Sequence, residues 1–129
     1  MIGNNPEDYI NYRMERALET IEEVQTHINN KYYNTAINRM YYACFYAIGA
    51  LLLKDNIEVS SHQGVRQKFG EHFVKTGKID KELARHFTEL YDKRNKGDYN
   101  DFFDFDESTV KKLYPKSKNL VTQIGEILK

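Results

Sequence analysis

The chain has 129 residues, with 19 basic and 19 acidic side chains and one cysteine, Cys44. That length suits one domain over residues 1–129, and a helical chain of this size buries roughly two-thirds of its unfolded surface without staples. The balance excludes a protein basic throughout. The lone cysteine excludes an internal disulfide and fits a reducing, cytoplasmic compartment, and the opening MIGNNPEDY lacks a secretory pattern.

The first helix is expected over Pro6 to about His27. Asn5 suits its cap, Pro6 its first turn, and Glu7 and Asp8 its dipole. Ile10, Met14, Leu18, Ile21, Val24 and Ile28 recur at helical spacing, and Asn29-Asn30 ends the run. The second helix spans about Lys31 to Lys54. From Met40 to Leu53 (MYYACFYAIGALLL) it carries no charge. A helix apolar all round is a central core helix or a membrane span, and this stretch falls short of the roughly 20 residues that a span needs. It is therefore read as the buried central helix, with no membrane implied.

A third helix is expected from about Ser61 to Lys75. Ser60 or Ser61 caps it, and Ser60 with Gln63 has capping-box spacing. Val65, Phe69 and Phe73 form its inner stripe, and Gly77 ends it. The fourth runs from Asp80, its cap, to about Lys96, with Leu83, Phe87, Leu90 or Tyr91, and Arg94 on its stripe. Gly97 reads as its stop. The segment GDYNDFFDFD then reads as a solvated acidic loop. A fifth helix, about Glu107 to Leu128, starts at Asp106 and carries Val110, Leu113, Leu120, Val121, Ile124 and Leu128. Pro115 inside it should kink or interrupt it. No run alternates like a half-buried strand, so the fold class is all-α, an up-and-down bundle of four or five helices.

Arg94 is the most informative side chain because it falls on an apolar stripe. A guanidinium turned toward a core must find partners or line a cleft. Position alone leaves two readings open: a buried ion pair with an acid such as Asp98, or a cleft group that meets phosphate. Arg39, in NRMYYA at the entrance of the central helix, is the second such case. It is read first as a long side chain reaching solvent beside the core.

His27, His62, His72 and His86 form no HxxxH or HExxH pair, so no metal site is expected, and no cofactor. Each reads as a surface or capping residue. His62, just after a cap, is the best placed to do more. There is no GxSxG, no glycine-rich phosphate loop and no CxxC. The ten tyrosines and seven phenylalanines suit a core that opens onto a cleft or subunit interface.

Three stretches, in this order and spacing, resemble the HEPN domain family of nucleotide-binding helical bundles: YYNTAINRMYYACFYAIGALLL, SSHQGVRQKFGEHFVKTG and LYDKRNKGDYNDFFDFDES. The likeness runs from about residue 31 to the end. It implies an up-and-down bundle that pairs as a homodimer and works beside a minimal nucleotidyltransferase in a toxin–antitoxin or defence-like setting, with RNA or a nucleotide as ligand. Active members of that family are metal-independent ribonucleases using an Arg, a polar residue, a spacer and a His where two subunits meet. Arg94 matches that Arg and Asn95 the polar residue. Where the His belongs stands Tyr99, and no His follows His86. Imidazole titrates near about 6.5 and phenol near about 10, so Tyr99 is a poor proton shuttle at neutral pH. The tyrosine that partner enzymes modify with AMP would fall at Asp101.

The resemblance and the residues together favour a binding module with Arg94, Asn95, Asp98, Tyr99 and Arg39 at its ligand site. Two alternatives stand beside it. One is a ribonuclease with a degenerate site, in which His62 or Tyr99 replaces the missing His. The other is a structural dimerisation bundle.

Overall fold

The computed structural model describes residues 5–100 and 102–129; Asp101, where the resemblance would put the modified tyrosine, lies outside them. Among the described residues there are five α-helices and no strand: α1 (Pro6–Asn29), α2 (Tyr33–Lys54), α3 (His62–Phe69), α4 (Lys81–Tyr99) and α5 (Glu107–Ile127). A π-helical turn, Gly70–Val74, continues α3 without a break. The expected bundle is therefore present.

α2 is the hub. It packs against α1, α3, α4 and α5, while α5 also closes against α1 and α4. Its inner positions Ala36, Ile37, Met40, Ala43, Cys44, Ala47 and Ile48 are all sealed from solvent. The small side chains of Ala36, Ala43 and Ala47 let neighbouring helices approach closely, because interaxial distance follows side-chain size at the contact. α2 is long and apolar enough to cross a membrane by length and composition, but 61% of its apolar window is buried inside the bundle, the position of a core helix.

Sequence caps set most helix starts. The Asn5 side chain accepts from the Glu7 amide, Ser61 from Gly64, Asp80 from Glu82 and Asp106 from Thr109. The cap of α3 is thus Ser61, and the Ser60–Gln63 spacing plays no part. Lys31 (φ 64°) reverses the chain between α1 and α2. Leu18, expected on the stripe of α1, is 49% exposed, and Ala17 takes the inward place one position earlier.

Three further expectations change. Pro115 does not interrupt α5, which runs unbroken from Glu107 to Ile127. Pro115 and Lys111 both lie on the exposed face, so water can satisfy the carbonyl that the missing N–H releases. Gly97 does not stop α4, which continues to Tyr99. A Cβ on Gly97 would come within 3.1 Å of the Phe105 ring and 3.4 Å of Asn34, so the glycine serves a close approach. Finally, the acidic segment after α4 is only partly solvated. Phe105 is buried and Phe103 packs on the core, their rings edge to face at 4.8 Å.

Asn34, on the first turn of α2, pins that segment. Its amide nitrogen donates to the Phe103 carbonyl at 2.9 Å, and its amide oxygen accepts from the Phe105 N–H at 2.9 Å. The return from α4 to α5 is fixed from the far side of the bundle. This places the end of α4 against the first half of α2, where the polar cluster described next is built.

Candidate functional site

α2 carries a polar stripe at i, i+4 and i+8: Asn34, Asn38 and Tyr42. Residues at this spacing share a helix face. The stripe meets the last turns of α4. The Asn38 amide donates to the Asp98 carboxylate at 2.9 Å, and Arg94 Nη1 donates to the Tyr42 hydroxyl at 3.2 Å. Arg94 and Asp98, also four apart, form an ion pair at 3.6 Å.

Arg94 is only 7% exposed. Aromatic rings supply most of its surroundings. Its guanidinium carbon lies 5.2 Å from the Tyr41 ring centre, 5.4 Å from Tyr42, 6.0 Å from Tyr91 and 5.9 Å from Tyr99. Each ring presents a negative face to the cation, and such contacts contribute roughly 0.5–2 kcal/mol, more as water is excluded. Nε of Arg94 is buried with no hydrogen bond, since Asp98 stands just beyond hydrogen-bond reach.

His62 opens α3 and enters the same cluster. Its ring lies 5.7 Å from Tyr41, 6.2 Å from Tyr42, 6.2 Å from Tyr91 and 4.6 Å from Phe45. Three tyrosines are thus shared between His62 and Arg94. His62 Nδ1 is 2.6 Å from the Tyr41 hydroxyl. Tyr41 is sealed from solvent and stacked on Phe87 at 5.3 Å, and burial raises its phenol well above the ordinary range. Its hydroxyl keeps its proton and must give it to a partner, so it donates to Nδ1. Burial, and after it the charge of Arg94, holds the His62 imidazole below its ordinary value. The ring is therefore neutral at neutral pH with its own proton on Nε2. In that tautomer it is a hydrogen-bond donor, and Nε2 is not a base.

Of the residues singled out from sequence, Arg94, Asp98, Tyr99 and His62 come together. Tyr99 is 76% exposed at the mouth of the cluster. Arg39 joins from the side: its guanidinium carbon is 5.3 Å from the Tyr42 ring, and its Nε donates to the Asn38 side chain at 3.1 Å. It is half-buried. Asn95 is half-buried on α4 about 100° round from Arg94, and residues one apart do not face each other. Nothing in its surroundings draws it into the cluster. Asn38, Tyr41, Tyr42 and Tyr91 are members that sequence reasoning passed over. The i, i+4, i+8 polar spacing on an otherwise apolar helix was the one signal that pointed to Asn38 and Tyr42.

One histidine is placed differently from expectation. His86 is neither a surface nor a capping residue: it is 2% exposed, with Nε2 at 2.8 Å from the Ser117 hydroxyl of α5. That hydroxyl donates to the Leu113 carbonyl, so His86 Nε2–H donates to Ser117. Nδ1 is buried without a partner, and burial lowers the imidazole to about 4. Cys44, also buried, directs its thiol toward the Ser117 carbonyl at 3.7 Å, and burial pushes the thiol far above its usual range. An unionised, enclosed thiol is a poor nucleophile. Among the described residues no three His, Cys, Asp or Glu side chains gather as a metal site.

The HEPN domain family matches residues 10–127. A UPF0332 protein from Thermotoga maritima is 35% identical over 125 residues, covering 97% of this chain and 95% of that protein. A protein of Methanocaldococcus jannaschii named "Putative toxin" is 31% identical over 129 residues, covering 100% of this chain and 96% of its own. A second protein of the same name and organism is 36% identical over 86 residues, covering 67% of this chain and 58% of its own.

Proposed function

The chain belongs to the HEPN domain family, related to proteins named as toxins, and from that premise we propose that it is a phosphate-binding module for RNA or a nucleotide in a toxin–antitoxin pair. Its counterpart in this reading is a minimal nucleotidyltransferase protein. Arg94 supplies the charge, and His62 Nε2–H supplies a neutral donor beside it. Asn38 and Tyr42 hold the two sides in register. Asp98 occupies the guanidinium until an anion competes for it. Tyr99, exposed at the rim, offers a ring face to a base. A homodimer would bring two such clusters together as one cleft.

The observation that carries this reading is the sharing of Tyr41, Tyr42 and Tyr91 by one guanidinium and one imidazole. A cation and a neutral donor, with the exposed ring of Tyr99 at the mouth, match a phosphate with its base. The tautomer assigned to His62 favours binding over cleavage. A ribonuclease needs a base to take the 2′-hydroxyl proton, and a positioned base contributes roughly 10²–10⁴ in rate. With Tyr41 donating to Nδ1, the outer nitrogen of His62 is assigned as a donor, and no imidazole stands at position 99.

The test compares wild type with Arg94→Ala and His62→Ala. Labelled RNA and AMP should bind the wild type, with affinity at least tenfold weaker in Arg94→Ala and a few-fold weaker in His62→Ala. RNA should stay intact, and sedimentation at micromolar concentration should show a dimer. Affinity untouched by Arg94→Ala would overturn the reading. Cleavage by the wild type that both substitutions abolish would replace it with the ribonuclease reading.

A further inference from the structure

The six arginines of this chain are not spread as its lysines are. Arg16 lies over the Tyr46 ring at 5.6 Å, Arg39 over Tyr42 at 5.3 Å, Arg66 over Tyr91 at 4.3 Å and Arg94 over Tyr41 at 5.2 Å. Arg13 lines a cavity of about 710 Å³ together with Phe45, Gly49, Glu58, Ser60 and Val65. A Cβ on Gly49 would stand 3.0 Å from Arg13 Nη1, so the glycine gives that guanidinium its seat. Arg85 shares a second cavity with Arg66, and no residue of α2 lines it. The lysines that cover rings choose others: Phe73, Phe105, Phe103 and Tyr114.

Two of these rings, Tyr42 and Tyr46, join Phe45 in one aromatic plate on α2, its members tilted or edge to face. Tyr42 is 6.1 Å from Phe45 and 6.0 Å from Tyr46, and Phe45 is 6.4 Å from Tyr46. All three are half-buried. Between Arg39 and Gly49 the helix rises about 15 Å. The plate therefore begins at the Arg94 cluster and ends at the cavity beside Arg13.

We propose that this arginine-edged plate is a track for single-stranded RNA, leading from the Arg94 cluster to the Arg13 cavity. The inference rests on the phosphate reading of Arg94 and adds the ligand's strandedness and path. A guanidinium beside a ring can still turn paired N–H groups toward phosphate, which an ammonium cannot do in the same way. Among the described residues the one ion pair that involves an arginine is Arg94–Asp98. Glu58 lines the Arg13 cavity and Glu19 lies beside Arg16. A zero net charge with Arg13, Arg16 and Arg39 gathered at one plate gives local complementarity to a phosphate backbone without general stickiness. Aromatic rings beside them suit unpaired bases, since stacking needs a free base face that a duplex withholds. The cavity, lined by Leu52, Leu53, Ile57 and Val59 together with Glu58 and Ser60, would take a base at the far end.

The experiment is fluorescence anisotropy with a labelled oligouridine of about 12 nucleotides, within the range of single-strand grooves. It uses the full chain and the Arg13→Glu/Arg16→Glu variant, whose two sites are exposed on α1. Gly49→Ala, which displaces Arg13 at its flexible end, gives a second and milder variant. The double variant should bind at least tenfold more weakly. Its slope of log affinity against log salt should shrink by about 0.7 for each phosphate that the variant no longer engages. Gly49→Ala should weaken binding a few-fold, and a duplex of equal length should bind worse than the single strand. Equal affinity of wild type and double variant would overturn the track. So would duplex binding as tight as single-strand binding. A dimer that the double variant breaks, with RNA affinity unchanged, would assign the plate to a second copy instead. RNA binding that needs Arg94 but not Arg13 and Arg16 would remove the track and leave the proposed function standing. Loss of RNA binding in the double variant without any effect of Arg94→Ala would do the reverse.

Discussion

α4 buries two polar side chains two turns apart, and they are opposite in kind. His86 is enclosed by α5, hydrogen-bonded to Ser117 and held neutral by burial. Arg94 keeps its charge under four tyrosine rings, with an acid at hand that is itself partly wet. The first is a closed structural contact between two helices. The second sits where the bundle opens onto solvent through Tyr99. Burial of a polar group therefore does not mark a site. What distinguishes Arg94 is a charge that the fold has surrounded with groups able to exchange it for an outside anion.

The largest effect expected from this contrast is on stability at His86. His86→Ala empties a sealed position and removes a partner of Ser117, which should cost about 3 kcal/mol in urea unfolding. A cost below about 1 kcal/mol would remove His86 from the structural side of the comparison.

Acid should act at the same place. An unfolded histidine titrates near about 6.5, whereas folded His86 is lowered to about 4. Between these values the unfolded state binds more protons, so stability rises with pH. The contribution is fully present above about 6.5 and is lost as pH falls to about 4, by about 3 kcal/mol in all. His62, also lowered, adds in the same direction. Urea midpoints taken from pH 7 down to 4 should fall steeply for the wild type and much less for His86→Ala. Parallel curves would break the assignment.

Arg94→Ala should cost only about 1–2 kcal/mol in the same assay, because the tyrosine rings no longer face a cation. Removing one partner of a fully buried pair costs about 3–5 kcal/mol, because the other charge is stranded. Asp98 is partly exposed and can rehydrate. A loss as large as that for His86→Ala would move Arg94 to the structural side and favour the structural bundle. The smallest change is expected for Asp98→Asn, below about 1 kcal/mol, since partly exposed ion pairs contribute little. Phosphate or AMP affinity should rise a few-fold, because the competing carboxylate is gone. Weaker binding would mean that Asp98 organises Arg94 for its ligand and does not compete with it.

Local signals made the helices and their caps legible in sequence. Asn5, Asp80 and Asp106 cap because their side chains reach amides two or three residues away, an interaction that needs no tertiary partner. The uncharged run of α2 announced its burial for a similar reason: no other place in a small bundle suits a helix apolar on every side. Arg94 could be found because it broke an apolar stripe.

What the sequence left open required contacts between distant residues. Gly97 looks like a helix stop in one dimension, and only the nearness of Phe105 and Asn34 shows that it clears space. His86 looks like a surface residue until Ser117, 31 positions on, closes over it. Helical period places a residue on a face, but only the packing of another helix decides whether that face is sealed or open. The chain by itself determined its elements and the inward turn of one guanidinium. Tertiary structure alone chose Asn38, Tyr42 and His62 as its neighbours, since their approach depends on how α2, α3 and α4 cross and not on any local rule.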